Sequence, residues 1–403
     1  MNATTTDWTS AGTAELADVI ALRRAIHADP EVGLHCTRTT QKLRAAIADL
    51  PLEIHESAST SGFIAILRGG GGNGRTVLLR GDMDALPMAE ETGLDYASRV
   101  AGAMHACGHD AHSAMLAGAA RALCARAESL PGTVVFMFQP GEEGYHGARF
   151  MIEDGLLDVA RPDAAFALHI LPTLESGRVL SRPGPLLAST DALNVRVRGR
   201  GGHAAMPHET IDPIPVAAEI VTALQGFVAR RIAVTDPAVL SITKIEAGSA
   251  YNIVPQEVTM IGTLRTLSEA TRAAARAGFE RIVRGIAAAH ECEAEVRIDE
   301  GYPVTRNDPR AIDLVRDIAE RQEPGSWRHM PAPMMGGEDF SYVLREVPGA
   351  MAFLGAAPAG SDAAANPPLH NTRMTIDESV MARGVALHCA FAHAVLDGGL
   401  PAA

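Results

Sequence analysis

Apolar strands that run straight into polar, metal-competent side chains constrain this chain more than any other feature. The run Gly132–Phe138 ends at Gln139-Pro140-Gly141-Glu142-Glu143, and the run that starts at Asp163 ends at His169. Two further apolar strands, Gly62–Arg68 and Arg75–Arg80, are joined by the flexible glycine turn Gly69–Gly74, and the second opens onto Asp82 and Asp84. Helical patterns lie around them: two over 13–49, broken at Asp29-Pro30, then 110–127 and 147–154. Strand–helix alternation with ligands at strand C-termini predicts an α/β domain. Its central sheet is expected to be mostly parallel, flanked by helices, with the site at the carboxyl edge.

Near residue 187 the pattern changes. Asp191–Arg198 alternates apolar and polar, as a half-exposed antiparallel strand does. Helix 213–230, strands 238–246 and 257–265, helix 269–289 and strand Glu293–Ile298 follow. This β-α-β-β-α-β order predicts a ferredoxin-like α+β domain. After Asp299 the α/β character returns with helix 308–322, the turn Gly336–Phe340, strand Ala350–Leu354 and helix Asp377–Asp397. The expected organisation is a discontinuous catalytic domain, 1–187 and 300–403, with an inserted domain at 188–299.

Composition narrows the function classes. With 403 residues, 47% apolar and 21% charged, the chain suits a globular protein with a large core. A net charge of −13 argues against nucleic-acid and anionic-membrane partners, which require a basic face. No run approaches about 20 uninterrupted apolar residues, so no membrane span is expected. Met1–Trp8 has neither the basic nor the apolar region of a secretory leader. The five cysteines are odd in number, scattered and without a C-x-x-C pair. A cytoplasmic protein without a disulfide framework is the expectation.

The chemistry concentrates in Met104–His112, which packs a thiol, three imidazoles and a carboxylate into nine residues ahead of a helix. Cys107 and His109 are one residue apart, so an extended turn aims both at one ion, and thiolate with imidazole suits a borderline-soft divalent metal. Short Cys/His tracts are often structural. Here Glu142, Glu143, His169 and His370 supply enough further donors for two ions. Adjacent carboxylates at the end of a buried strand repel each other unless a cation lies close. One of the two glutamates can bind metal while the other accepts a proton from metal-activated water. Asp82 and Asp84 are placed to orient a ligand imidazole, against the alternative of simple turn formation. His112, three residues after His109, shares its helix face and is expected to support the site without binding metal, against the alternative of a plain helix-surface residue. Gly199-Arg200-Gly201-Gly202-His203-Ala204 formally fits a dinucleotide fingerprint, but Pro207 and Pro213 keep a helix from opening at the glycines. The glycine turn at 69–74 lacks the Gly-Lys-Ser/Thr ending of a phosphate loop.

Taken together, nine motifs in order carry a resemblance. They are Arg80-Gly81-Asp82-Met83-Asp84-Ala85-Leu86-Pro87, His105-Ala106-Cys107-Gly108-His109-Asp110, Gln139-Pro140-Gly141-Glu142-Glu143, Leu168-His169-Ile170, Gly201-Gly202-His203-Ala204, Tyr251-Asn252-Ile253-Val254-Pro255, Gly262-Thr263-Leu264-Arg265-Thr266, Gly336-Gly337-Glu338-Asp339-Phe340 and Leu369-His370-Asn371. The chain resembles the hippurate hydrolase and indole-acetyl-amino-acid hydrolase branch of the dinuclear metal-dependent aminoacylase/carboxypeptidase family. The wider family usually carries a metal-binding His where Asp82 stands and a bridging Asp at the Cys107 position. This branch departs from both, with His109 supplying the missing imidazole.

The resemblance implies a catalytic domain plus a smaller lid domain that also mediates a homodimer or higher homo-oligomer. It implies two divalent ions, Zn, Mn, Co or Ni, bridged by Cys107 and completed by His109, Glu143, His169 and His370. Glu142 would be the general base and later the proton donor to the leaving amine, with Asp84 counted among the catalytic residues. His203 would reach across the dimer to polarise the scissile carbonyl, while Asn252, Arg265 and Gly337 would contact the substrate carboxylate or backbone. The expected reaction cleaves an N-acyl-amino acid into a carboxylic acid and an amino acid. The first rival is a dipeptidase or carboxypeptidase on the same scaffold. A zinc nucleobase deaminase needs a Pro-Cys-x-x-Cys that is absent. A non-catalytic binding protein would require a missing base or ligand, and none is missing.

Overall fold

In the computed structural model, which describes residues 7–400, the apolar runs become strands of one eight-stranded sheet. The first six residues, on which the leader expectation partly rests, lie outside the described residues. The strand order is Glu53–Glu56, Phe63–Arg68, Thr133–Gln139, Thr76–Asp82, Ala164–Leu171, Gly349–Gly355, Val179–Ser181 and Trp327–His329. Thr76–Asp82 runs parallel to both Thr133–Gln139 and Ala164–Leu171, and Gly349–Gly355 runs parallel to Ala164–Leu171. The first two strands, and Val179–Ser181 against Gly349–Gly355, pair antiparallel. The four inner strands are buried along nearly their whole length, which is why they read as continuous apolar runs. Register places Asp82 opposite Gln139 and His169 opposite Phe353, so the ligand-bearing ends emerge along one edge.

Helices cover this sheet. Trp8–His27, His109–Cys124 and Met381–Gly398 pack on one another, and the last two also pack on Thr76–Asp82. The first begins at Trp8, earlier than its apolar periodicity suggests, because the Asp7 carboxylate accepts the Thr9 and Ser10 N–H groups as an N-cap. Phe166 stacks on Phe391 with ring centroids 4.6 Å apart, joining the sheet to the last helix. Burying each such aromatic contributes about 1.5–3 kcal/mol. One helix, Glu378–Gly398, is long and apolar enough to cross a bilayer by length and composition alone. Most of it is buried inside the protein, where Val385, Cys389, Phe391 and Val395 join the core.

A second compact unit comprises Leu187–Thr305 and Pro333–Glu338. Its four strands lie in the order Ala238–Ala247, Glu257–Thr266, Ser189–Arg198, Glu293–Glu300, each antiparallel to its neighbour. The helices Pro213–Arg231 and Glu269–Ala289 bury Ile220, Leu224, Phe279 and Val283 against the inward residues Leu193, Val195, Val258 and Met260. This is the ferredoxin-like arrangement. The unit extends past the expected boundary at 299. Thr190 and Tyr302 exchange two hydrogen bonds, at 2.9 and 2.8 Å, and Ala188 N–H donates to the Gly336 carbonyl. The first unit holds the rest of the chain: everything up to Leu186, Arg306–Ala332, and Asp339 onward.

Candidate metal centre

Four segments bring donors to the carboxyl edge of the large sheet. The turn before the helix His109–Cys124 passes through Gly108 at φ +87°, and a Cβ there would lie 2.3 Å from Ile170 Cδ1. Only glycine permits that close approach in a left-handed conformation. As a result, donor atoms of Cys107, His109 and His169 fall within 4.8 Å of one another. The His169 Nδ1–H donates to the Ile170 carbonyl at 2.7 Å, which leaves Nε2 as a lone pair 3.4 Å from Cys107 Sγ. Cys107, Glu143 and His370 form a second such group, with His370 Nε2 3.1 Å from Glu143 Oε1. One thiol thus belongs to both groups. His109 Nε2 is 4.0 Å from Glu142 Oε2 and from Glu143 Oε1, so both glutamates face the same imidazole.

His370 arrives from a loop in which it adopts φ +64°, and its backbone N–H donates to the Ala106 carbonyl at 2.8 Å. That bond ties the loop to the Cys107 turn. His109 has both ring nitrogens buried and without a hydrogen-bond partner. A buried imidazole with two orphaned nitrogens is costly unless something binds it.

Electrostatics agree. Burial should lower the His109 pKa, yet Asp82 and Cys107 hold it well above the ordinary value. His370 is pushed up to about 10 by its hydrogen bonds to Cys107 and Glu143. Burial raises the Cys107 thiol. Glu143 is held below the ordinary carboxyl value by His370 and His109 despite its burial. The surroundings of His109 and His370 thus favour positive charge at both imidazoles, the sign that a bound cation would supply. A mixed set of one sulfur, imidazole nitrogens and carboxylate oxygens fits divalent transition-metal ions.

Residues 78–394 match the model of peptidase family M20/M25/M40. The chain belongs to this family. It is 37% identical to thermostable carboxypeptidase 1 of Saccharolobus solfataricus, over 93% of this chain and 94% of that protein. It is 38% identical to N-acetyl-L-cysteine deacetylase of Bacillus subtilis, over 90% and 84%. It is 35% identical to IAA-amino acid hydrolase ILR1-like 4 of Arabidopsis thaliana, over 93% and 84%. A solved structure from Bacillus subtilis, described as a dinuclear metal-binding peptidase of the M20 family, superposes with a TM-score of 0.82 at 32% identity. That match covers 96% of this chain and 99% of the other. The chain is a metal-dependent M20 hydrolase, and its relatives support amide-bond chemistry.

Within this M20 centre the supporting groups are as ordered as the donors. Asp84 accepts the Glu142 N–H on Oδ1 and the Glu143 N–H on Oδ2, both at 3.0 Å, and Oδ1 lies 3.4 Å from His109 Nδ1. Its contacts are therefore positional: it fixes the backbone that carries both glutamates. Asp82 Oδ1 is 2.6 Å from His112 Nδ1, and Oδ2 meets Arg80 at 2.5 Å and lies 3.6 Å from His109 Nε2. Arg80 continues to Gln139 Oε1 and Asp339 Oδ1, and Gln139 also donates to Asp339. Arg80, Gln139 and Asp339 stand in the sequence motifs without an expected role. Their signal was a charged side chain inside an otherwise apolar strand, which needs a buried partner.

The remaining expected site residues lie in the second unit. His203 is exposed in the short ribbon formed by Gly202–His203 and Ile253–Val254, and its Nδ1 accepts the Ala205 N–H at 3.1 Å. The Asn252 carbonyl accepts the Ala204 N–H at 3.1 Å, which brings Asn252 to the same turn. Arg265 is half-buried, and its Nη1 lies 3.6 Å from where a Gly337 Cβ would be. That Cβ would also meet Thr190 Cγ2 at 2.3 Å, so the Gly337 backbone packs too closely for any side chain.

Proposed function

We propose that this M20 hydrolase cleaves the amide bond of N-acyl-amino acids, releasing a carboxylic acid and an amino acid. The observation that carries the proposal is one thiol, Cys107, shared by two donor groups, with Glu142 Oε2 4.0 Å from the His109 Nε2 of the first. Cys107, His109, Glu143, His169 and His370 would hold two divalent ions, drawn from Zn, Mn, Co and Ni. When bound, the metals polarise the scissile carbonyl and make the attacking water more acidic.

The chain's own residues do the rest. Glu142 takes the proton of the attacking water and delivers it to the leaving nitrogen. Asp84 holds Glu142 in place through its backbone N–H. Arg265, beside the Gly337 backbone, and Asn252 would bind the carboxylate of the amino-acid part. His203 would serve the second chain of a homodimer by hydrogen-bonding the scissile carbonyl. The names of two relatives, N-acetyl-L-cysteine deacetylase and IAA-amino acid hydrolase, support an acylated amino acid as substrate. The carboxypeptidase relative supports the rival, a peptide with a free C-terminus.

The test is a substrate panel on purified, metal-analysed protein: N-acetyl-amino acids, hippurate and indole-acetyl-amino acids against dipeptides and longer peptides. N-acyl-amino acids should turn over fastest, and chelation should abolish turnover until a divalent metal is restored. Faster hydrolysis of peptides with a free amino terminus would overturn the substrate class. Glu142→Gln should lower kcat by about 10²- to 10⁴-fold, the span of general-base catalysis. Full turnover by that variant with metal bound would overturn Glu142 as base.

A further inference from the structure

The ladder between Thr76–Asp82 and Ala164–Leu171 stops at Arg80 opposite Ala167. Beyond it, the Ile170 N–H would be an orphaned buried donor. The His112 ring takes it: Ile170 N–H donates to Nε2 at 2.9 Å. Because Nε2 accepts, the ring proton sits on Nδ1, which donates to Asp82 Oδ1 at 2.6 Å. The ring is fully committed, 1% exposed, and offers no lone pair to a metal. The peptide it grips joins Ile170 to His169, whose own ring is held by the Ile170 carbonyl at 2.7 Å. Through Asp82, the same ring reaches the carboxylate oxygen facing His109 at 3.6 Å.

The second donor group is anchored elsewhere. Glu143 hangs by its N–H from Asp84, and His370 by its N–H from Ala106, neither through His112. We propose that His112 is a positioning residue for one metal only. It sets His169 and His109 of the Cys107–His109–His169 group and leaves the Cys107–Glu143–His370 group untouched. The proposal rests on the dinuclear reading above and adds that His112 serves only one of the two sites, whereas Asp84 touches both, holding the Glu143 N–H and lying 3.4 Å from His109 Nδ1.

Zn²⁺ titration into chelator-stripped protein by calorimetry tests it. Wild type should bind two equivalents; if it does not, the dinuclear reading fails before any variant is considered. In His112→Phe, one site should weaken by about 10- to 100-fold, the usual cost of losing a group that orients a ligand, and the other should keep its affinity. Two isosteric variants guard against misfolding. His112→Gln retains an acceptor near the Nε2 position for the Ile170 N–H and should largely restore the weakened site. His112→Asn retains only the donor near Nδ1 to Asp82 and should stay weak at that site. The inference is overturned if both affinities survive in His112→Phe and His112→Asn, or if both sites weaken together in all three variants.

Discussion

Replacing Asp84 by Asn tests how far the reacting glutamates depend on their backbone anchor. Asn has nearly the same volume, so no cavity opens. One of its two terminal atoms is an N–H donor, however, and it would face the N–H of Glu142 or Glu143, each now held at 3.0 Å. At least one hydrogen bond to a charged group is lost, worth about 1.5–3 kcal/mol. If about 2–3 kcal/mol of that appears as lost transition-state stabilisation, kcat/KM falls roughly 30- to 150-fold at 1.36 kcal/mol per decade. The assay is steady-state hydrolysis of an N-acyl-amino acid at saturating metal, with metal content measured on the same sample. Losses in kcat with two metals retained would locate the defect in Glu142 rather than in occupancy. A variant within threefold of wild type would refute the claim that the Asp84 carboxylate fixes the Glu142–Glu143 backbone.

Two further outcomes follow from groups around the site. Gly108→Ala must place a side chain at φ +87° and 2.3 Å from Ile170 Cδ1. Left-handed strain of about 1–2 kcal/mol and overpacking of about 1–3 kcal/mol should add, read as a lower denaturation midpoint together with weaker metal binding. An unchanged midpoint would show that the turn relaxes freely. His388, buried edge-on to Phe166, has its pKa pushed down to about 3 by burial and by nearby His112. Its folded pKa lies below the unfolded value of 6.5, so the unfolded chain takes the proton first as pH falls. The contribution is fully present above pH 6.5 and is lost towards pH 3. His388→Phe should therefore flatten the acid side of the stability curve of metal-free protein by about 1.4 kcal/mol per pH unit. Parallel wild-type and variant curves from pH 7 to pH 5 would contradict it.

Much of this architecture was legible in the sequence because burial on two faces leaves a plain signature. The inner strands Thr76–Asp82, Thr133–Gln139 and Ala164–Leu171 read as apolar runs, and Ser189–Arg198 reads as alternation because one face is open. The edge strands Glu53–Glu56 and Trp327–His329 were not legible: at three or four partly exposed residues they carry no period long enough to detect. The convergence of Cys107, His109, Glu143, His169 and His370 was expected from motifs, and the fold supplies the means. Gly108, Asp84 and the Ala106–His370 bond do the aiming. The Arg80–Gln139–Asp339 cluster joins residues 259 apart at its widest, and nothing local in the sequence announces such a partner.

The sheet's own wiring has a consequence for biosynthesis. Gly349–Gly355 lies beside Ala164–Leu171, the strand that delivers His169, yet it follows the entire second unit in the chain. While a ribosome is still making the intervening segment, Ala164–Leu171 is an uncovered apolar edge of the kind that pairs with other chains. A nascent polypeptide stalled short of Gly349 should be prone to cluster with its neighbours. Release of the last hundred or so residues should therefore coincide with both the closing of the sheet and the arrival of His370.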